Sequence, residues 1–200
     1  IRLGHGAWRQ ATLAPIARPF VDALAEKTGK TVHLAQLDGA QVLNLDKRNP
    51  LKTIDMFSAT GKVGPAYCTG VGKAMLAFQS AAVLADALTQ QAFHGFTPNT
   101  ITDAETLRTE LAEIRSSGLA FDREEHEPNI ICAAVPILSP DGDVLGAVSV
   151  TGTCTQDSLD RLASHEPDLR ETARAISTAV QPWATDQTGC HRTPTGGPDG

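Results

Sequence analysis

The chain has 200 residues, 41% of them hydrophobic, and no apolar run near the length of a membrane span, so one substantial core can form in water. Lys and Arg number 17 against 23 Asp and Glu, a formal charge of -6, and no basic cluster stands ready to neutralise phosphates, which argues against DNA binding by this chain alone. Cys68, Cys132, Cys154 and Cys190 form no C-x-x-C pair and the opening Ile-Arg-Leu-Gly lacks a signal peptide's apolar stretch, so they read as reduced thiols in a cytoplasmic protein.

Residues 1–10 carry little pattern. Leu13, Ile16, Ala17, Phe20, Val21 and Leu24 then recur at three- and four-residue steps before Gly29, the mark of an amphipathic helix and its stop. Pro15 suits a first turn but Pro19 does not suit an interior, so the helix is expected to start late or to bend there. Thr31 to Leu37 and Gln41 to Asp46 read as a hairpin about Asp38-Gly39-Ala40, and a third strand is expected over Thr53 to Ser58. Past the glycine-rich stretch Gly61 to Gly72, residues Lys73 to Leu88 read as a helix in two pieces, beginning where the glycines end and burying Ala74, Leu76, Ala77, Val83, Leu84 and Leu88.

Thr102 and Glu105 have the spacing of a capping box ahead of Leu107, Leu111 and Ile114, and Gly118 closes that helix. Leu119 to Arg123 and Ile130 to Leu138 follow as strands, and Val144 to Thr151 completes a second hairpin across Ser139-Pro140-Asp141-Gly142. From Gln156 to Val180 an apolar stripe predicts a terminal helix divided at Pro167. Thr185 to Gly200 has nothing to bury and is expected to be a mobile tail. This order gives an α+β domain with a mostly antiparallel sheet covered by helices, not a doubly wound dinucleotide fold.

Gly61-Lys62-Val63-Gly64-Pro65-Ala66-Tyr67-Cys68-Thr69-Gly70-Val71-Gly72-Lys73 invites a nucleotide reading, since glycines ahead of a helix let N–H groups approach an anion. Both motif tests fail. A Walker A loop ending at Gly72-Lys73 needs glycine where Tyr67 stands and a hydroxyl where Ala74 stands, and a dinucleotide fingerprint starting at Gly70 needs glycine at Met75. Two readings remain: a tight turn, or a helix capped by Thr69 or Gly70 whose free N–H groups hold a small carboxylate.

Phe121-Asp122-Arg123-Glu124-Glu125-His126-Glu127 runs directly into the apolar strand Ile130-Ile131-Cys132-Ala133-Ala134-Val135. Glu124, Glu125 and Glu127 read as a solvated charged loop, whereas Asp122, at the strand's inner edge, can meet a ligand hydroxyl or share a proton with a ligand acid. Asp122, His126 and Cys132 also compose a thiol triad on paper, but an apolar setting raises a thiol's pKa and no cation or helix start adjoins Cys132. The same three types can ligate zinc, yet their spacing matches no standard site. A buried structural cysteine is the plainer reading, and neither metal nor cofactor is expected.

Taken as an ordered set, Arg2-Leu-Gly, Leu34-Ala-Gln-Leu-Asp-Gly, Pro65-Ala-Tyr-Cys-Thr-Gly-Val-Gly-Lys-Ala-Met-Leu-Ala, Gly118-Leu-Ala-Phe-Asp-Arg-Glu-Glu-His-Glu, Cys132-Ala-Ala-Val-Pro-Ile and Val148-Ser-Val-Thr-Gly resemble the effector-binding domain of the isocitrate lyase regulator (IclR) family of bacterial transcription factors. The resemblance runs from Ile1 to about Val180. It implies a GAF-like fold, a six-stranded antiparallel sheet flanked by helices, behind an N-terminal winged-helix DNA-binding domain that this sequence lacks. On that pattern residues 1–10 are the remnant of a linker, 11–182 the effector-binding domain and 183–200 a flexible tail.

The resemblance also implies that Gly70 and Val71 hold a small organic acid through backbone N–H groups and Ser149 and Thr151 through hydroxyls. Asp122, Ile130 and Cys132 line the same pocket, beside a patch corresponding to Thr53 and Met56. Thr151 replaces a serine of the family and Thr53 an apolar residue, so ligand identity does not carry over. Family members bind operator DNA through the winged helix and assemble as homodimers or homotetramers. The leading expectation is thus effector binding without turnover; the alternatives are a thiol- or metal-dependent enzyme using Cys132, His126 and Asp122, and an interaction module built on the helix over 155–181.

Overall fold

The central strands of this chain are buried on both faces, so the sheet is covered twice, and the fold follows from that. The computed structural model describes residues 3–49 and 59–185, with side chains described over 13–49 and 59–181. In chain order the elements are α1 (Leu3–Thr28), β1 (Thr31–Asp38), β2 (Gln41–Arg48), β3 (Val63–Pro65), α2 (Gly70–Leu76), α3 (Ala81–Thr89), α4 (Ala104–Ser117), β4 (Ala120–Arg123), β5 (Ile130–Leu138), β6 (Val144–Thr153), α5 (Leu159–Ala163) and α6 (Glu166–Thr185). The six strands form one sheet in the order β3-β2-β1-β6-β5-β4, and every neighbouring pair is antiparallel. This is the expected α+β architecture.

Alternation along the strands sends Val32 and Leu34 of β1, Ile131, Ala133 and Val135 of β5, and Val148 and Val150 of β6 to one face, where they bury Leu13, Ala17, Val21 and Leu24 of α1 and Leu169 and Ile176 of α6. The opposite face carries small residues, Ala120, Ala134 and Ala147, which let α2 lie close to the strands; Tyr67, Met75, Leu107 and Leu111 fill the space around it. Each fully buried large side chain, such as Leu107 or Leu169, contributes about 1.5–3 kcal/mol. Among the described residues no helix is long and apolar enough to cross a membrane.

Several local expectations need correction. Helix α1 does not start late: it runs from Leu3, and Pro15 and Pro19 both lie inside it. Both face water, where a helix's hydrogen bonds are weakest and solvent can satisfy the freed carbonyls, while Leu13, Ala17 and Val21 hold the inner face. Helix α2 begins within the glycines, at Gly70, because Gly72 must pack against Ala66, whose carbonyl oxygen a Cβ at 72 would overlap. The N-cap of α4 is Asp103, one residue after Thr102, its carboxylate accepting from the N–H groups of Glu105 and Thr106.

Gly118 closes α4 as expected, in the left-handed region at φ 74°. Val83 is half exposed, not buried. The terminal helix does break, but ahead of Pro167, which sits in the first turn of α6 where its missing N–H costs nothing. Strand β3 was not anticipated, and the strand expected over Thr53 to Ser58 lies outside the described residues, as does most of the expected tail.

Candidate functional site

Register places the site. Asp122 of β4 stands opposite Cys132 of β5, which stands opposite Thr151 of β6; one rung along, Ala134 meets Ser149, and Ser149 meets His33 of β1. Directly opposed residues of antiparallel strands share a face. Asp122, Cys132, Thr151, Ser149 and His33 therefore all look toward α2. The start of α2 closes the top: a Cβ at Gly70 would overlap the Cys132 sulfur and come within 3.5 Å of the Asp122 nitrogen, so only glycine brings that backbone so near the sheet.

Between them lies a cavity of about 80 Å³, bordered by Gly70, Val71, Asp122, Ile130, Cys132, Ser149 and Thr151. A single water needs on the order of 10–15 Å³ of such space, so the room matches a molecule of a few heavy atoms. These are all the expected site residues except Thr53 and Met56, which lie outside the described residues. His33, Asn44 and Lys62, which no sequence signal singled out, also line the cavity, as does Glu127, expected to face water. His33 was legible only as a polar residue between Val32 and Leu34.

The polar groups fall into two sets. At the start of α2, Thr69 occupies the cap position, but its hydroxyl makes no cap bond and donates instead to the Pro65 carbonyl at 2.8 Å. Thr69 therefore leaves the first-turn N–H groups without a side-chain cap, and the Cys132 sulfur lies against the Gly70 backbone N–H. On the sheet, Ser149 and Thr151 are buried hydroxyls, and Thr151 Oγ1 is 3.2 Å from His33 Nδ1. Burial, helped by the Lys47 charge, lowers the His33 pKa to about 3, so the ring is neutral at ordinary pH.

Asp122 is the sensitive group. Burial pushes its carboxyl up to about 7, opposed by the hydrogen bond that its Oδ1 accepts from the Glu125 N–H at 2.8 Å. Burial also pushes the Cys132 thiol well up, and the nearby Asp122 charge adds to this, so the sulfur is a protonated wall and not a nucleophile. His126 is held below its ordinary value by burial, with Glu127 opposing. Among the described residues no group of three or more His, Cys, Asp or Glu side chains is arranged to hold a metal ion.

Behind the cavity the acidic loop departs from expectation. Glu125 does not face water: it is buried, and its Oε1 accepts from Lys73 Nζ at 2.5 Å. Lys73, fully buried on α2, also reaches Glu110 at 3.0 Å, and Glu110 in turn takes Arg123 at 2.7 Å. The loop is further pinned by Thr97 to the Glu124 carbonyl, Thr100 to the Glu125 carbonyl and Asn99 to the Arg123 carbonyl. A lysine among Ala74, Met75 and Leu76 was the available clue that an acid had to be buried opposite it. Glu124 and Glu127 are half-buried.

Comparison with known proteins fits this geometry. Residues 5–178 match the family model described as bacterial transcriptional regulator IclR, C-terminal. The chain is 34% identical over 181 residues to the HTH-type transcriptional regulator BhcR of Paracoccus denitrificans, covering 90% of this chain but only 65% of that relative. Its fold superposes on the Thermotoga maritima IclR structure with a TM-score of 0.80 at 32% identity, over 88% of this chain and 72% of the other. It also superposes on the inducer-binding domain of a double mutant of the PobR transcription factor from Acinetobacter, solved with 3-hydroxybenzoic acid, with a TM-score of 0.73 at 26% identity, over 82% of this chain and 96% of that one. These relatives are transcription regulators, not enzymes. The cavity under α2 is thus the interior of an effector-binding domain, and the chain belongs to the IclR family of bacterial transcriptional regulators as its C-terminal part.

Proposed function

We propose that the cavity binds a small organic acid without turning it over, and that binding biases a DNA-contacting unit elsewhere in the full regulator. The carrying observation is the cavity that joins the uncapped start of α2 to the buried hydroxyls of Ser149 and Thr151. A carboxylate there accepts from the Gly70 and Val71 N–H groups and from the two hydroxyls, while Asp122, Ile130 and Cys132 set the shape and polarity around the rest of the molecule. Thr53 and Met56 are proposed as the remaining wall.

The chain's net charge of -6 supports operator DNA being met through a winged helix preceding this unit, not through this domain. The proposed division is linker over 1–10, effector domain over 11–182 and tail over 183–200. Homodimers or homotetramers working in the cytoplasm complete the reading. The effector must favour one arrangement of the assembly over another to act as a switch.

The test is a melting-temperature screen of hydroxybenzoates, benzoate and short keto acids against the wild type and Ser149→Ala. A ligand at 100 times its Kd adds about 2.7 kcal/mol of stability. At least one acid is expected to raise the melting temperature of the wild type and less so that of the variant; no response to any acid would overturn the reading.

A further inference from the structure

We propose that Asp122 enters the complex in its acid form, so that the cavity takes up an organic carboxylate together with one proton, which the Asp122 O–H then donates to the bound carboxylate. This rests on the cavity being an organic-acid site. The carboxylates are neighbours by construction: the start of α2 adjoins the Asp122 backbone, and a cavity of about 80 Å³ leaves a bound acid little distance to keep. Asp122 Oδ1 already accepts the Glu125 N–H, and Oδ2 accepts no hydrogen bond from the described residues. It is therefore the oxygen available to carry a proton toward the ligand.

Charge balance points the same way. Lys73 on α2 is the cation that acts on Asp122, but it is held between Glu125 and Glu110 at 2.5 and 3.0 Å. Glu125 and Glu127 of the following loop add negative charge, Cys132 of β5 and His33 of β1 face the space as neutral groups, and Cys68 ahead of α2 is a buried neutral thiol nearby. Half-buried His126 stands beside Glu127. Lys62 borders the cavity ahead of β3 and is not among the charges that act on Asp122. Two like charges brought close together in a buried site do not both stay ionised. The carboxyl is already poised near neutrality before any ligand arrives, at about 7. In balanced form, the ionised Asp122 carboxylate, a ligand carboxylate and a proton from solvent give a complex with Asp122 neutral and the ligand anionic.

Titration calorimetry with benzoate and 3-hydroxybenzoate at pH 8, in phosphate and in Tris, counts the protons bound. Close to one proton per ligand is expected, with Kd rising about tenfold per pH unit between pH 8 and 9. Asp122→Asn, which keeps a donor without titrating, is expected to bind with no proton uptake and a flat pH profile. Binding to the wild type with no proton uptake, as when an ionised Asp122 accepts a ligand hydroxyl, would overturn the proposal while leaving the cavity reading intact. Uptake that survives in Asp122→Asn would also overturn it. No binding to either protein by benzoate, 3-hydroxybenzoate or any short keto acid of the screen removes the cavity reading itself and the proposal with it; the wild-type count does not depend on how the variant folds.

Discussion

Replacing Lys73 with methionine removes the buried cation that holds α2 to the acidic loop. Lys73 is fully buried, and of the two Glu125 oxygens one accepts from it while the other has no partner. Methionine fills similar volume, so the loss is electrostatic: Glu125 is left buried with only the Arg123 N–H at 3.3 Å. Breaking a buried pair in this way costs about 3–5 kcal/mol, a large share of the 5–15 kcal/mol that holds a typical domain together. Urea unfolding at pH 7.5 should show the midpoint falling with an unchanged slope. The penalty should shrink toward pH 5, because burial raises the Glu125 pKa and the uncompensated acid then takes a proton. Adding Glu125→Leu to Lys73→Met should recover most of the loss, since an apolar pair of similar volume is often no worse than a buried ion pair. A single variant losing under about 1 kcal/mol, or a double variant no more stable than the single, would refute this account of the ion pair.

Gly70→Ala should destabilise the domain by about 1–3 kcal/mol and weaken acid binding, as the new methyl overlaps the Cys132 sulfur; Cys132→Ala in the same chain should restore much of the stability, read by chemical denaturation. His33, neutral when folded with a pKa of about 3 against an unfolded value near 6.5, binds its proton mainly in the unfolded chain between those values. Stability is therefore lost as pH falls through that window, by about 1.4 kcal/mol per unit, and His33→Gln should gain on the wild type below pH 6; parallel stability curves would show the ring to be solvated. Iodoacetamide followed by mass mapping should label exposed Cys154 well before buried Cys68 and Cys132, and rapid labelling of Cys132 would revive thiol chemistry at the site.

The elements with strong periodicity and clear end signals were legible. Ile130 to Leu138 is read with its observed limits because a continuous apolar run is bounded by Pro128-Asn129 and the Ser139–Gly142 turn. Gly118 marks its helix end for the same local reason. What failed was set by tertiary contact. Strand β3 is three residues long and owes its existence to pairing with β2. The prolines of α1 are tolerated because of the side they face, which no local rule reports. At the site, Gly70 and Asp122 were separately ambiguous, and the family resemblance joined them and alone supplied Ser149; the Lys73–Glu125 pair, spanning α2 and the loop, left only an out-of-place lysine as its trace.

The central position of β1 beside β6 also bears on how the molecule is made. Thr31 pairs with Thr151, so the middle of the sheet closes only when nearly the whole domain has left the ribosome. Until then β1 and β2 form a hairpin with an unpaired inner edge, and α1 has no β5 or α6 to rest on. Ordering so much intervening chain before the rewarding contacts form slows folding into the millisecond-to-second range. C-terminal truncations that remove β6 are therefore expected to yield aggregation-prone chains instead of smaller folded domains, and this sensing unit is made all at once or not at all.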